Sequence, residues 1–301
     1  MFKRILVPLD GSKPSESVLP FARALAHDLK ISVDLLSVID VVDLARSASA
    51  AEGLFLDTIA EEETKIRHEY LEAVARSFPG VRVQYDIVPG NPENAIIESM
   101  VGDKDGLIAM ATHGRSGLNR WLLGSVAEKV LRGSRNPLLL VRAVENAPIE
   151  GQAQLRSIMV PLDGSELAEA VLPLATDLAK ALNVGLVLFR AYNIPAGFYD
   201  VGGGFAVDLD RLLVQVEAEV QQYLEEKSDR LRKAGVANVT MASKQGFGAD
   251  EIIRYAQHAP DRLIAMCSHG RSGVRRWALG SVAETVVRHC RNPLLIFRAP
   301  S

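Results

Sequence analysis

The chain has 301 residues, of which 48% are hydrophobic and 24% charged, proportions that exclude a disordered or fibrous protein. Its formal net charge of −3 argues against sequence-independent binding of nucleic acid, which needs clustered Lys and Arg. No stretch approaches the roughly 20 apolar residues that span a bilayer, and the first residues are not a signal peptide, so we expect a cytoplasmic protein with no membrane contact.

The first half of the chain alternates short apolar runs with helical patterns. The run at 5–9 predicts a strand covered on both faces, and Asp10-Gly11-Ser12 ends it. Apolar residues at helical spacing predict a helix from about Pro14 to Lys30, in which Pro20 should bend the helix or delay its regular start. The elements predicted after it are strand 31–39, helix 56–78, strand 81–88, helix 94–101, strand 107–111, helix 125–131 and strand 138–142.

An internal repeat accounts for the second half. The phrase HGRSGLNRWLLGSVAEKV starts at His113, and HGRSGVRRWALGSVAETV starts at His269. A repeat period as long as the separation of His113 and His269 indicates duplication of a whole domain, because solenoid repeats measure roughly 20 to 50 residues. We predict a first domain at 1–145, a linker at 146–155 and a second domain at 156–301.

The second domain is predicted to contain strands at 158–162, 184–191, 239–244, 263–267 and 294–298. Alternating strands and helices imply a parallel sheet with helices on both faces, because right-handed crossovers place them there. The predicted fold class is therefore α/β, with each domain a doubly wound parallel sheet of five strands.

In such a sheet a ligand binds beyond the carboxyl ends of the strands, where the strand order reverses. Asp10, the turn after Ala111 and the helix that begins at Gly124-Ser125 lie at these ends. A glycine-rich loop followed by a helix N-terminus suits an anion, and arginines add positive charge. The glycines and arginines of this loop are Gly114, Arg115 and Gly117 in the first repeat and Gly270, Arg271 and Gly273 in the second.

A purely structural interpretation of the same helix remains open. Ser125 with Glu128, and Ser281 with Glu284, fit the S-x-x-E capping box, in which the two side chains bond to the free amides of a helix start. A serine can cap a helix and still leave neighbouring amides facing a phosphate. The two interpretations are therefore compatible.

Both halves resemble universal stress protein domains. Nucleotide-binding members of that family carry G-x-x-G-x9-G-[S/T] after the fourth strand. Gly114-x9-Gly124-Ser125 and Gly270-x9-Gly280-Ser281 match its last three elements. At the first glycine stand Ala111 and Cys267, whose side chains are a handicap if that backbone needs a positive φ or close ribose contact. The resemblance implies two Rossmann-like domains of the adenine nucleotide alpha hydrolase-like type.

The resemblance also implies a ligand and its contacts. Asp10 and Asp163 would lie beside the adenosine end of ATP, which Mg²⁺ could accompany, and Val38 and Ala191 would offer backbone groups to adenine. The other residues expected at the nucleotide are Ala111, His113, Gly114, Arg115, Gly117, Gly124, Ser125 and Val126 in the first repeat, and Cys267, His269, Gly270, Arg271, Gly273, Gly280, Ser281 and Val282 in the second.

No catalytic residue and no metal site is predicted. His113 and His269 lack a positioned nucleophile with an acidic partner, and a role in stabilising the turn is favoured. Cys267 and Cys290 have no counterparts in the first half, so buried free thiols are expected rather than a metal site.

The leading hypothesis is a stress-response regulatory or sensor protein that binds ATP or another adenine nucleotide and forms a homodimer. One alternative is a nucleotide-free dimerising scaffold of the same fold. Ala111 and Cys267 support this alternative, because they replace the first glycine of the motif. The apolar last strand of each repeat supports it as well, because domains or subunits could pair there. The other is a slow ATPase, against which stands the lack of an evident general base.

Overall fold

The computed structural model describes residues 1–40, 56–112, 123–143, 149–193, 209–268 and 279–298. Contacts divide the chain into two compact units, one holding residues 1–154 and 293–298 and the other 155–292. The limits predicted from the repeat, 1–145 and 156–301 with a linker at 146–155, stay a prediction, because compact units and duplicated segments are different divisions of a chain.

The sheet of the first unit is parallel over the strands of the first repeat. Its strands are β1 (Arg4–Pro8), β2 (Ser32–Ile39), β3 (Val83–Pro89), β4 (Gly106–Ala111) and β5 (Leu138–Val141). They lie in the order β3-β2-β1-β4-β5, so the strand order reverses between β1 and β4. The last strand of the chain, β10 (Leu294–Phe297), also belongs to this unit and runs antiparallel to β5, with Leu295 opposite Leu139.

The helices of the first unit are α1 (Lys13–Glu16), α2 (Leu19–Leu29), α3 (Leu56–Arg76), α4 (Pro92–Glu98) and α5 (Ser125–Gly133). The single helix predicted from Pro14 to Lys30 is divided in two, and of the two effects predicted for Pro20 the later regular start is the one observed. Pro20 lies in the first turn of α2, where a missing amide hydrogen costs nothing, so the chain forms two helices instead of one bent helix.

The second unit repeats this arrangement. Its strands are β6 (Ser157–Pro161), β7 (Gly185–Tyr192), β8 (Val239–Gln245) and β9 (Arg262–Cys267), and its helices are α6 (Glu166–Glu169), α7 (Leu172–Leu182), α8 (Leu209–Lys233), α9 (Gly248–Gln257) and α10 (Ser281–His289). The strands are parallel in the order β9-β6-β7-β8. The predicted doubly wound α/β class is confirmed.

The central strands form the core of each unit. Every residue of β4 and β5 is buried, as expected for a parallel sheet covered on both faces. In the second unit Ile158, Met159 and Val160 of β6 are fully buried. The carboxyl ends of these strands are therefore held rigidly, and the turns that follow them can position ligand-binding groups.

Candidate functional site

The turn after the first strand holds an acidic side chain in one fixed position. Asp10 Oδ1 accepts hydrogen bonds from the Ser12 amide at 2.9 Å and the Ser12 hydroxyl at 2.6 Å. Between them Gly11 has a φ of 79°, which a side chain would strain. The second repeat forms the same loop, with the same two distances from Ser165 to Asp163. Each unit thus presents a carboxylate, stabilised in its ionised form, at the carboxyl edge of the sheet.

The neighbouring strand β2 extends further than β1 and leaves a backbone edge beside this turn. The Leu36 carbonyl accepts a hydrogen bond from the Leu9 amide at 2.8 Å. Backbone groups of successive strand residues point to alternate sides, so Val38 directs its amide and carbonyl to the same side as Leu36, beyond the paired part of β1. A heterocyclic base could hydrogen-bond there. The corresponding residues of the second unit, with the same 2.8 Å bond, are Leu162, Phe189 and Ala191.

The helix that follows β4 begins without a side-chain cap. Its N-cap residue is Gly124 with extended backbone, and Gly280 caps α10 in the same way. The capping-box interpretation is therefore wrong, because Ser125 is already the first helical residue and the Glu128 side chain contacts Arg132 at 2.9 Å. Neither N-cap residue thus caps the first-turn amides of α5 and α10 with a side chain, and such amides suit an anion.

A backbone hydrogen bond ties each of these helix starts to the preceding strand. The Gly124 amide donates to the Thr112 carbonyl at 2.8 Å, and the Gly280 amide donates to the Ser268 carbonyl at the same distance. The carboxyl end of β4 or β9 and the amino end of the following helix therefore form one fixed element. The exposed Ser125 and the half-buried Val126 lie in its first turn, as do Ser281 and Val282 in the second repeat.

Ala111 and Cys267 end β4 and β9 in ordinary strand conformation. Among the described residues only Lys30 and Asn183 combine a side chain with a positive φ, so the backbone at 111 and 267 is not strained by a Cβ. Burial raises the pKa of the Cys267 thiol to about 12, and the Asp163 carboxylate acts in the same direction. Cys267 therefore places a buried thiol near Asp163, at the position where the first repeat has Ala111.

A guanidinium group beside the Asp163 loop was not predicted from the sequence. In the second unit Arg190 lies with its central carbon 4.6 Å from the centroid of the Tyr223 ring. A Cβ on Gly164 would lie 3.1 Å from the Arg190 side chain, which places the group directly beside the acidic loop. In the first unit the corresponding strand residue is Ser37, and buried Arg67 reaches its hydroxyl from α3 at 2.8 Å. Each unit therefore brings one arginine to this region from a different element.

The family model of the Universal stress protein family matches residues 1–142 and 154–298. The chain belongs to the universal stress protein family. The resemblance read from the glycine motif is thereby confirmed for both repeats.

Individual relatives extend this result. A universal stress protein of Methanocaldococcus jannaschii is 30% identical over 142 residues, covering 47% of this chain and 83% of the relative. A universal stress protein of Mycobacterium tuberculosis is 24% identical over 98% of this chain and 95% of its own length. The crystal structure of a universal stress protein from Archaeoglobus fulgidus has the same fold, with a TM-score of 0.72, 20% identity and 99% coverage of both chains.

Part of the motif of this universal stress protein lies outside the described residues, and the roles predicted there stay predictions. These residues are His113, Gly114, Arg115, Gly117, His269, Gly270, Arg271 and Gly273. Over the described ranges no helix is long and apolar enough to cross a membrane. Those same ranges contain no group of three or more His, Cys, Asp and Glu side chains placed to hold a metal ion.

Proposed function

We propose that this universal stress protein binds an adenine nucleotide, with ATP as the expected ligand, and acts through binding rather than turnover. The observation that carries the proposal is the start of α5 and α10 at a glycine with no side-chain cap. Free first-turn amides attract an anion by about 0.3 to 1 kcal/mol per charge at an exposed site. A polyphosphate would gain this energy without displacing an N-cap side chain.

The charges at the two ends of the site also favour one orientation of the nucleotide. The ionised carboxylate of Asp10 repels phosphate, so the triphosphate would extend toward Gly124 and the adenosine would lie beside Asp10. The free backbone edge at Val38 would take the base. In the second unit Asp163, Ala191 and Gly280 would have these roles.

Several features belong to this proposal. Mg²⁺ would accompany the triphosphate and occupancy would regulate a stress response in the cytoplasm. Catalysis is not part of it, because a carboxylate that already accepts two hydrogen bonds from Ser12 is a weak general base. A homodimer would need a surface other than the edge of β5, since β10 covers that edge within the chain. Light scattering with and without ATP tests this assembly.

The substitution Gly124→Asp tests nucleotide binding directly. An aspartate N-cap would bond to the first-turn amides and place a negative charge at the phosphate position, so helix stability should rise by a few tenths of a kcal/mol, about the Gly-to-Asp difference at an N-cap, while ATP binding at this site is lost. Gly280→Asp should do the same in the second unit. Isothermal titration calorimetry of wild type and both variants measures the number of sites.

Gly124→Ser is the matched control, because serine caps the same amides without charge and should weaken ATP binding less than aspartate does. Wild-type protein that shows no heat of binding with millimolar ATP would refute the proposal. So would a Gly124→Asp, Gly280→Asp double variant that binds ATP as wild type does.

A further inference from the structure

The first unit contains a cavity of about 530 Å³ between α1, α2, α3 and the segment 149–152. This volume is within the range of small-molecule sites, roughly 300 to 1,000 Å³. The side chains that matter here are Glu16 on α1, Leu19 on α2 and Tyr70 and Val74 on α3. The lining of the cavity includes neither the start of α5 nor a residue proposed above to hold the nucleotide.

The second unit shows what fills the corresponding place. The phrase Tyr-Leu-Glu occurs in α3 at Tyr70 and in α8 at Tyr223, 153 positions apart, the same separation as Glu16 and Glu169. In this register Val74 of the first unit corresponds to Lys227 of the second. A carboxylate and a phenol are thus present in both units, but the lysine is present in only one.

Lys227 completes a compact polar network in the second unit. Its Nζ lies 2.5 Å from Glu169 Oε2 and 5.3 Å from the centroid of the Tyr223 ring. The Tyr223 hydroxyl donates to Glu169 Oε1 at 2.7 Å. Burial alone would raise the pKa of Glu169, but the hydrogen bonds from Lys227 and Tyr223 outweigh it and lower that pKa. The Lys227 side chain is only 15% exposed, so its alkyl stem packs against the protein while its ammonium group contacts Glu169.

The first unit retains the recognition groups without that cation. The Tyr70 hydroxyl is buried beside the Glu16 carboxylate and the Ser15 side chain. Burial, followed by the nearby Glu16 carboxylate, raises the pKa of Tyr70, so this hydroxyl stays a donor. Glu16 is 8% exposed and contacts Lys13 at 3.1 Å, a lysine whose side chain is 80% exposed. Because the Lys13 side chain is mostly in solvent, another cation can replace it at Glu16.

We propose that this cavity binds a primary alkylammonium ion, whose ammonium group takes the place that Lys227 Nζ has in the second unit. The ammonium would contact the Glu16 carboxylate and the face of the Tyr70 ring, as a cation does beside an aromatic ring. The alkyl body would lie along Leu19 and Val74, as the lysine stem does in α8. The cavity exceeds one lysine side chain, so longer or branched amines fit as well.

Positive side chains at the cavity would compete with such an ion for the Glu16 carboxylate. Arg23 also lines the cavity, but its guanidinium donates to the Gly151 carbonyl at 2.7 Å and the Ser77 hydroxyl at 2.9 Å, and to the Ile149 carbonyl. These groups hold it at the wall formed by the segment 149–152. Lys13 is therefore the side chain that competes for Glu16.

The test is calorimetric titration of the full chain with n-butylammonium chloride, with 1-butanol as the uncharged probe of the same shape. We expect one site for the ammonium ion and at least tenfold weaker binding of butanol. Val74→Lys should abolish the site by supplying the cation from within, and Lys227→Val should create a second site. Lys13→Gln should tighten binding several-fold by removing the competing cation.

Glu16→Gln keeps the shape of the cavity and removes its charge, and it carries the test if Val74→Lys fails to fold. We expect it to weaken butylammonium binding at least tenfold while leaving ATP titrations unchanged. Wild-type protein that does not bind butylammonium overturns the proposal. Equal affinity for butanol, or an unchanged affinity in Glu16→Gln, overturns it as well, and none of these results bears on nucleotide binding.

Discussion

At the scale of single residues, the two repeats differ where β4 and β9 end. Cys267 is 5% exposed, and burial raises the pKa of its thiol from 9.0 to about 12. Because the folded-state pKa is the higher one, the protonated thiol contributes stability that is complete below pH 9 and is lost as the pH rises toward 12.

The substitution Cys267→Ala should therefore flatten the fall of stability at alkaline pH. Urea unfolding at intervals between pH 8 and pH 11 would measure the free energy of unfolding of wild type and variant. The reciprocal Ala111→Cys is the control, and it should steepen the fall if the thiol is buried equally in the first repeat. Identical pH dependences of wild type and Cys267→Ala would contradict the assignment.

The same positions show what a residue-level motif can predict. Asp10, Asp163 and the glycine-serine helix starts were found from sequence because each is a local signal, readable within a few residues. The concern over Ala111 and Cys267 had two grounds, a positive φ and close ribose contact, and the strand conformation at both residues removes only the first. A motif specifies residue types, whereas the conformation at its first position depends on where a strand ends.

At the scale of elements, two corresponding helices start with different caps. Asn91 precedes α4, and its side chain accepts a hydrogen bond from the Asn94 amide at 3.2 Å. Phe247 precedes α9, forms no side-chain cap and is 73% exposed. Both follow a glycine of positive φ, so the two turns are alike and the difference lies in the cap.

Phe247→Asn should stabilise the second unit by about 1 kcal/mol, since a capping side chain would satisfy an amide that Phe247 leaves free. Asn91→Phe should destabilise the first unit by a similar amount. Thermal unfolding of both variants checks the pair of effects. A loss of stability in Phe247→Asn would mean that the exposed ring itself contributes more to folding than a cap does.

Caps also explain which element boundaries the sequence predicted. The order and type of the strands and helices followed from apolar periodicity, which burial enforces along each element. The predicted start of α4 was late because Asn91 extends the helix to Pro92. The cluster of Glu169, Tyr223 and Lys227 was not predicted, because it depends on which face of α8 packs against α6. The repeated Tyr-Leu-Glu phrase would have shown which residues of α3 and α8 correspond.

At the scale of the whole molecule, the chain does not complete its first unit until its last strand. Residues 293–298 end the second repeat in sequence but belong to the first unit. There β10 pairs with β5, and Arg298 donates to the carbonyls of Arg132 and Ser134 at 3.2 Å each. The side chains of β5 are apolar and buried, with Leu138, Leu139 and Leu140 each no more than 2% exposed, and its backbone edge is paired with β10.

A fragment of residues 1–154 should therefore expose an unprotected strand edge, and such edges pair with other chains. We expect the fragment to self-associate with rising concentration in sedimentation velocity, where the full chain shows no association through this edge. A peptide of residues 291–298 should restore the monomer by supplying β10. The same peptide with Leu295→Pro lacks a backbone donor opposite Leu139 and should fail to do so. A fragment that stays monomeric at all concentrations would show that β5 needs no partner strand.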